Sequence, residues 1–184
     1  MPATVPSNCI VLGADHGGYE LKEHLKKWLT ERGHSIEDCG TFDKSPADYP
    51  KIAAAVAGRV SRDPSARGII IDGAGIGSSM VANKFPGVRA SLCYDVSSAR
   101  NSREHNDANI LTLGAGMIGA GLAEQIVDTW LSTNCTVDRH LRRVAMIADV
   151  ERDMMEHAAA GGFPPGASAA PAVAGGTPRA HSAP

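Results

Sequence analysis

An α/β fold wound around a parallel sheet is what this sequence predicts, and three observations carry the expectation. Short apolar runs alternate with amphipathic segments through most of the chain, the pattern that right-handed β-α-β crossovers produce. One run, Ile69 to Ile71, is three consecutive β-branched residues, the composition of a strand covered by helices on both faces. Three aspartates, Asp15, Asp72 and Asp95, follow the first, third and fourth predicted strands. That places them on the carboxyl edge, where open sheets of this class hold ligands.

The elements follow in order. Residues 9–14 form the first strand, closed by the turn Asp15-His16-Gly17-Gly18. Leu21, Leu25, Trp28 and Leu29 then fall on one face of a helix that stops at Gly33. A second strand is expected over 35–39. After Gly40 a polar loop leads to Asp48-Tyr49-Pro50, where Asp48 is placed to cap a helix carrying Ile52, Val56 and Val60. Asp63-Pro64 ends it. Beyond the central strand a short helix is expected over 78–85, broken by Pro86-Gly87. A fourth strand follows over 88–93, a helix over about 96–104, and a fifth strand over 110–113. Residues 120–131 form a helix presenting Leu122, Ile126 and Trp130, and a last helix runs from 138 to 155 or slightly beyond, with Val144, Ile147 and Val150 as its apolar stripe. From about 158 the composition turns to Ala, Gly, Pro and Ser, too poor in large apolar groups to offset the entropy of ordering. The expected organisation is one domain over 1–157 and a disordered tail over 158–184.

Composition narrows the function. With 43% hydrophobic and 21% charged residues, most of the 184-residue chain reads as a globular domain. A formal net charge of -2 and only 4% aromatic residues give no footprint for nucleic acid. Cys9, Cys39, Cys93 and Cys135 are scattered without a C-x-x-C pair, which argues for reduced thiols and against a zinc site. No apolar run reaches the length of a membrane span, and residues 1–8 lack the features of a signal peptide, so a cytoplasmic protein is expected.

Three clusters carry chemistry. Behind Asp72 stand Gly73, Gly75 and Gly77, which let the backbone turn tightly and aim N–H groups at an anion beside a carboxylate. The alternative is a tight strand-to-helix turn with no chemistry. The loop also partly matches a dinucleotide fingerprint, with Asp95 about 20 residues on. However, Ser78 stands where the last glycine belongs, and the loop follows the third strand rather than the first. The second cluster, Ser102 to Asn109, contains His105, Asn106 and Asp107 between the fourth helix and the fifth strand; a solvated helix end is the plainer reading. In the third, Arg139 and Arg143 stand one turn apart on the last helix, so that their guanidinium forks can converge on one phosphate or simply form a solvated basic face. No metal-ligand spacing is evident. Together the three suit a small phosphorylated substrate and proton transfer.

With these residues in view, the chain resembles the type B ribose-5-phosphate isomerases and the related galactose-6-phosphate isomerase subunits. The resemblance spans residues 9–151. It rests on Gly13-Ala14-Asp15-His16-Gly17-Gly18, Asp48-Tyr49-Pro50, the loop Gly73 to Gly77, Ala82-Asn83-Lys84-x-Pro86-Gly87-x-Arg89, Ser102-Arg103-x-His105-Asn106-Asp107 and Arg139-His140-x-x-Arg143. It implies a three-layer αβα, Rossmann-like fold with a five-stranded parallel sheet, no metal or other cofactor, and a homodimer or tetramer whose active sites are shared between subunits. By position it implies that Asp15, His16 and Tyr49 contact the sugar, that His105 and Asn106 open its ring, and that Arg139 and Arg143 hold its phosphate. Gly73, Ala74, Gly75, Ile76, Gly77 and Ser78 would line the substrate, the loop amides stabilising an enediolate.

The departures from the family pattern fall at the chemistry. Well-known members end the third strand with a cysteine that takes the substrate proton, where this chain has Asp72; another branch uses a glutamate at the position of Ser78. The loop threonine is Ala74, and an arginine after the fifth strand is Gly116. An aspartate at position 72 resembles the A subunit of galactose-6-phosphate isomerase, which works with a partner subunit. The expected activity is therefore aldose-ketose isomerisation of a small sugar phosphate, foremost ribose 5-phosphate to ribulose 5-phosphate, with Asp72 shuttling a proton between C1 and C2. A free aspartate titrates near 3.9, so burial must raise Asp72 for this task, while amides pointed at it would oppose the rise. The alternatives are an isomerase of another tetrose to hexose phosphate, or a sugar-phosphate-binding subunit with little activity of its own.

Overall fold

The computed structural model describes residues 9–162. Five strands, β1 (Cys9–Ala14), β2 (Ser35–Asp38), β3 (Arg67–Asp72), β4 (Ala90–Leu92) and β5 (Ile110–Gly114), form one wholly parallel sheet in the order β2-β1-β3-β5-β4. Strand order reverses between β1 and β3, the kind of point at which open sheets hold ligands, and Asp15 and Asp72 stand at the carboxyl ends of those two strands.

Alternation along the strands divides the core into two layers. Ile10, Leu12, Ile69, Ile71, Leu111 and Leu113 face helices α1 (Tyr19–Glu31), α4 (Val96–Asn106) and α5 (Ala120–Ser132). Val11, Ile70 and Ile110 face α2 (Tyr49–Arg62) and α3 (Ile76–Ala82). This is the three-layer αβα arrangement. Ile69, Ile70 and Ile71 are each at most 1% exposed, and burial of this kind contributes ~1.5–3 kcal/mol per side chain.

Several elements differ from the sequence expectation. Helix α3 starts two residues early, because Gly75 takes a left-handed φ of 77° as its N-cap and turns the chain directly into Ile76. Strand β4 keeps only three residues at the sheet edge; before it, the Arg89 carbonyl accepts from the amides of Asn109 and Ile110. On α5 the buried face is Ala123, Ile126, Val127 and Trp130, while Leu122 is 37% exposed. Asp48 holds the N-cap position of α2 but makes no side-chain cap; it pairs with Lys51 instead. Along α6 (Asp138–Ala159) only His140 is buried, and the expected stripe lies at the surface, with Ile147 and Val150 both exposed. Residues 163–184, most of the expected tail, lie outside the described residues.

Candidate active site

At the carboxyl edge, the turn after β1 is closed by the Asp15 carboxylate, whose Oδ1 accepts from the Gly18 amide at 2.9 Å. The Asp15 amide donates to Ile71 of β3, which sets this turn against the central strand. His16 is exposed, and its Nδ1 lies 3.2 Å from the Ala47 amide, tying the turn to the loop before α2. Tyr49 begins α2 and lies against Gly77: a Cβ there would come within 2.6 Å of the ring, so any larger residue would displace Tyr49. Behind this loop Lys22, fully buried, donates to both oxygens of Asp38, and Asp38 also accepts from the Gly40 amide. Gly40 in turn accepts from Ala14 at 2.7 Å. The segment carrying His16 and Tyr49 is thus held from beneath by an ion pair.

Asp72 is 5% exposed and is fully engaged by its own loop. Oδ1 accepts from the amides of Ala74, at 2.8 Å, and Gly75; Oδ2 accepts from the amide and the hydroxyl of Ser78. Four donors match the four lone-pair sites of a carboxylate. The glycine loop expected to cradle an external anion therefore turns three of its N–H groups inward onto this side chain. The amides of Gly73, Ile76 and Gly77 have no hydrogen-bond partner among the described residues and remain for a ligand. Tyr94 donates to the Ala74 carbonyl at 2.6 Å, and Ala115 and Gly116 donate to the carbonyls of Asp72 and Gly73. The loop is fastened from three sides.

The second cluster lies at the other edge of the sheet. His105 and Asn106 are the last residues of α4, not part of a loop beyond it. Because α4 begins at Asp95 on the carboxyl edge and its eleven residues span ~16 Å, its far end lies at the amino edge. Asp107 caps it in the left-handed region with φ 44°, and its carboxylate binds Arg103 at 2.6 Å and Arg89 at 3.0 Å. Arg103, 3% exposed, also donates to Ala108 and Thr133 carbonyls.

Helix α6 starts beside it. The ring of His140, 3% exposed, lies 4.1 Å from that of His105 and tilted by 39°. Arg139 donates its Nε–H to His140 Nε2, and Arg143 is exposed. His105, His140 and Arg139 are therefore brought together, whereas Asp15, His16, Tyr49 and Asp72 assemble at the opposite edge. No hydrogen bond, ion pair or ring contact joins the two groups among the described residues. The sequence reading gave no role to His140, Tyr94, Arg103 or Asp107; the place of His140 between Arg139 and Arg143 was its one signal.

Known proteins share this fold. Residues 10–147 match the family described as Ribose/Galactose Isomerase. Ribose-5-phosphate isomerase B of Escherichia coli K12 is 42% identical over 143 residues, covering 78% of this chain and 96% of that protein. The structure of Clostridium thermocellum ribose-5-phosphate isomerase B superposes with a TM-score of 0.76 at 46% identity, over 79% of this chain and 98% of that one. The Mycoplasma genitalium enzyme of the same name, solved with bound ribulose 5-phosphate, gives a TM-score of 0.76 at 33% identity, over 79% and 97% of the two chains. On sequence and fold alike, the chain belongs to the ribose/galactose isomerase family.

Proposed function

We propose that this protein interconverts ribose 5-phosphate and ribulose 5-phosphate through a cis-enediolate, without a cofactor. The observation that carries the reading is the likeness, over nearly the full length of the relative, to an isomerase solved with ribulose 5-phosphate in place. Arg139 and Arg143 take the phosphate, and His105 with Asn106 opens the sugar ring by moving a proton from the C1 hydroxyl to the ring oxygen. Asp15, His16 and Tyr49 hold the sugar in the crevice. The amides of Gly73, Ile76 and Gly77 face the oxygens that gain charge as the enediolate forms. Asp72 takes the proton from C2 and returns it to C1; for this Ser78 turns its hydroxyl away, freeing one lone pair on Oδ2.

The two groups stand at opposite edges of the sheet, so a single chain cannot close them on one small sugar. Two copies, each lending its amino-edge cluster to the other's crevice, can. The exposed apolar residues Leu141 and Ile147, on the helix that carries both arginines, fit burial against a second copy. Four free cysteines fit the reducing conditions of a cytoplasm.

A second reading is favoured by the full set of donors on Asp72: a sugar-phosphate-binding subunit with little turnover of its own. Assaying the pure protein on aldose and ketose phosphates of four to six carbons separates them. Turnover, greatest on the five-carbon pair, supports the isomerase. Binding without turnover on any of them supports the subunit.

A further inference from the structure

We propose that His140 is a positioning residue which, locked as the neutral Nδ1–H tautomer, fixes the phosphate clamp and the ring-opening histidine as one unit. The proposal rests on the isomerase reading above for the roles of Arg139 and His105. Its geometry is independent of that reading.

The tautomer follows from the partners. His140 Nδ1 lies 3.1 Å from the Glu104 backbone carbonyl, which can only accept, so Nδ1 carries the hydrogen. Nε2 lies 3.1 Å from Arg139 Nε, whose hydrogen points at it, so Nε2 is bare. An imidazolium would set a second N–H against the Arg139 donor and lose that bond. Both nitrogens are committed, and the ring is held in orientation from both ends.

Each bond acts on a different neighbour. Fixing Nε of Arg139 pins the plane of its guanidinium and leaves the two terminal amino groups for an anion. A guanidinium held this way loses little side-chain freedom when phosphate arrives. The other bond ties the start of α6 to the last turn of α4, and the ring face is laid on His105. Among the described residues the charged and titratable side chains recorded against His140 are Arg139 on its own helix and His105 on α4, and Glu104 Oε1 stands 3.9 Å from His105 Nε2. A neutral ring between Arg139 and His105 allows His105 to carry a proton during ring opening without a second imidazolium beside it. An aliphatic residue would fill the same buried space but could neither orient Arg139 nor bridge to Glu104.

Two substitutions separate the halves of the ring. His140→Asn keeps a donor near the Glu104 carbonyl but falls short of Arg139; His140→Gln reaches Arg139 with its side-chain oxygen but leaves His105 without its ring neighbour. For His140→Asn the expected result is a rise of at least about tenfold in both the KM for ribose 5-phosphate and the dissociation constant for inorganic phosphate. For His140→Gln phosphate binding stays within about threefold of wild type while kcat falls about tenfold. Nitrogen-15 NMR of the unaltered protein at pH 8 should report His140 as the Nδ1–H tautomer, with and without inorganic phosphate. Wild-type phosphate affinity in both variants, or an Nε2–H tautomer at pH 8, would overturn the proposal. Phosphate binding and the tautomer need no turnover. A wild-type protein inactive on every sugar phosphate would therefore sink the isomerase reading while these two measurements still decided the role of His140.

Discussion

Asp72 and Asp107 stand at opposite edges of the same sheet, and each holds a segment of the chain in place, but with different partners. Asp72 gathers three amides and a hydroxyl from its own loop and is almost completely buried. Asp107 bridges two arginines from different elements and is about one-third exposed. The first device is local: seven residues of chain close on themselves, and the amides left over are aimed by that closure. The second is long-range: Arg89, Arg103 and Asp107 join the approach to β4, the helix α4 and the turn before β5. In the proposed reading the anion hole is built from backbone amides, and the proton donor is placed by side chains whose charges are paired.

The largest effects follow from removing the chemistry at each edge. Asp72→Asn should lower kcat by about 10²-fold or more if the carboxylate carries the substrate proton. A variant retaining wild-type turnover would reduce Asp72 to an organiser of the loop. His105→Asn should slow the conversion of ribose 5-phosphate, which enters as a ring, by about 10²-fold. It should slow ribulose 5-phosphate, which enters as an open chain, much less when initial reverse rates are compared. Equal losses in both directions would remove ring opening from its role.

Stability changes come next. Asp72→Ala leaves four buried donors without their acceptor and should cost about 4 kcal/mol in urea unfolding. Asp107→Ala leaves the buried Arg103 without its carboxylate, though it keeps two carbonyls, and should cost about 3 kcal/mol. If the order of these two reversed, the local device would be the weaker one. Ser78→Ala removes one donor of the four and should cost about 1 kcal/mol while leaving or raising kcat, since it frees the lone pair on Asp72.

The smallest expected effect is a pH dependence beneath the crevice. Burial pushes the Asp38 carboxyl up, but hydrogen bonds from Lys22 and Lys26 outweigh it and hold the group below the usual carboxylate range. A carboxyl depressed in the folded state contributes its full stability above its unfolded pKa of ~3.9, and loses it as pH falls through the lower folded value. The melting temperature should therefore drop as pH is taken below ~4, and Asp38→Asn should flatten that drop. An unchanged slope would show that other carboxylates dominate it.

The strands and most helices were legible because apolar periodicity reports burial, and here burial follows the sheet closely. What sequence did not show is direction. Three alternating glycines allow a loop to turn its amides outward or inward, and nothing in Gly73 to Gly77 says that three donors turn onto Asp72. The stripe of α6 has the same spacing as a buried face, yet Ile147 and Val150 are exposed, because periodicity does not say which partner covers a face. Leu122 is exposed for a related reason: Ala123, Ile126, Val127 and Trp130 already form the buried face of α5. The motif Arg139-His140-x-x-Arg143 does not show that His140 bonds a carbonyl 36 residues away.

A site assembled from opposite edges of two copies predicts complementation. Asp15→Ala and His105→Ala, each inactive alone, are co-expressed in equal amounts so that mixed dimers form, and ribose 5-phosphate turnover is measured. Sharing between copies predicts recovery of about a quarter of wild-type activity, since one site in four then receives both intact halves. Mixtures as inactive as the separate variants would contradict it, and would return the whole reaction to the residues of a single chain.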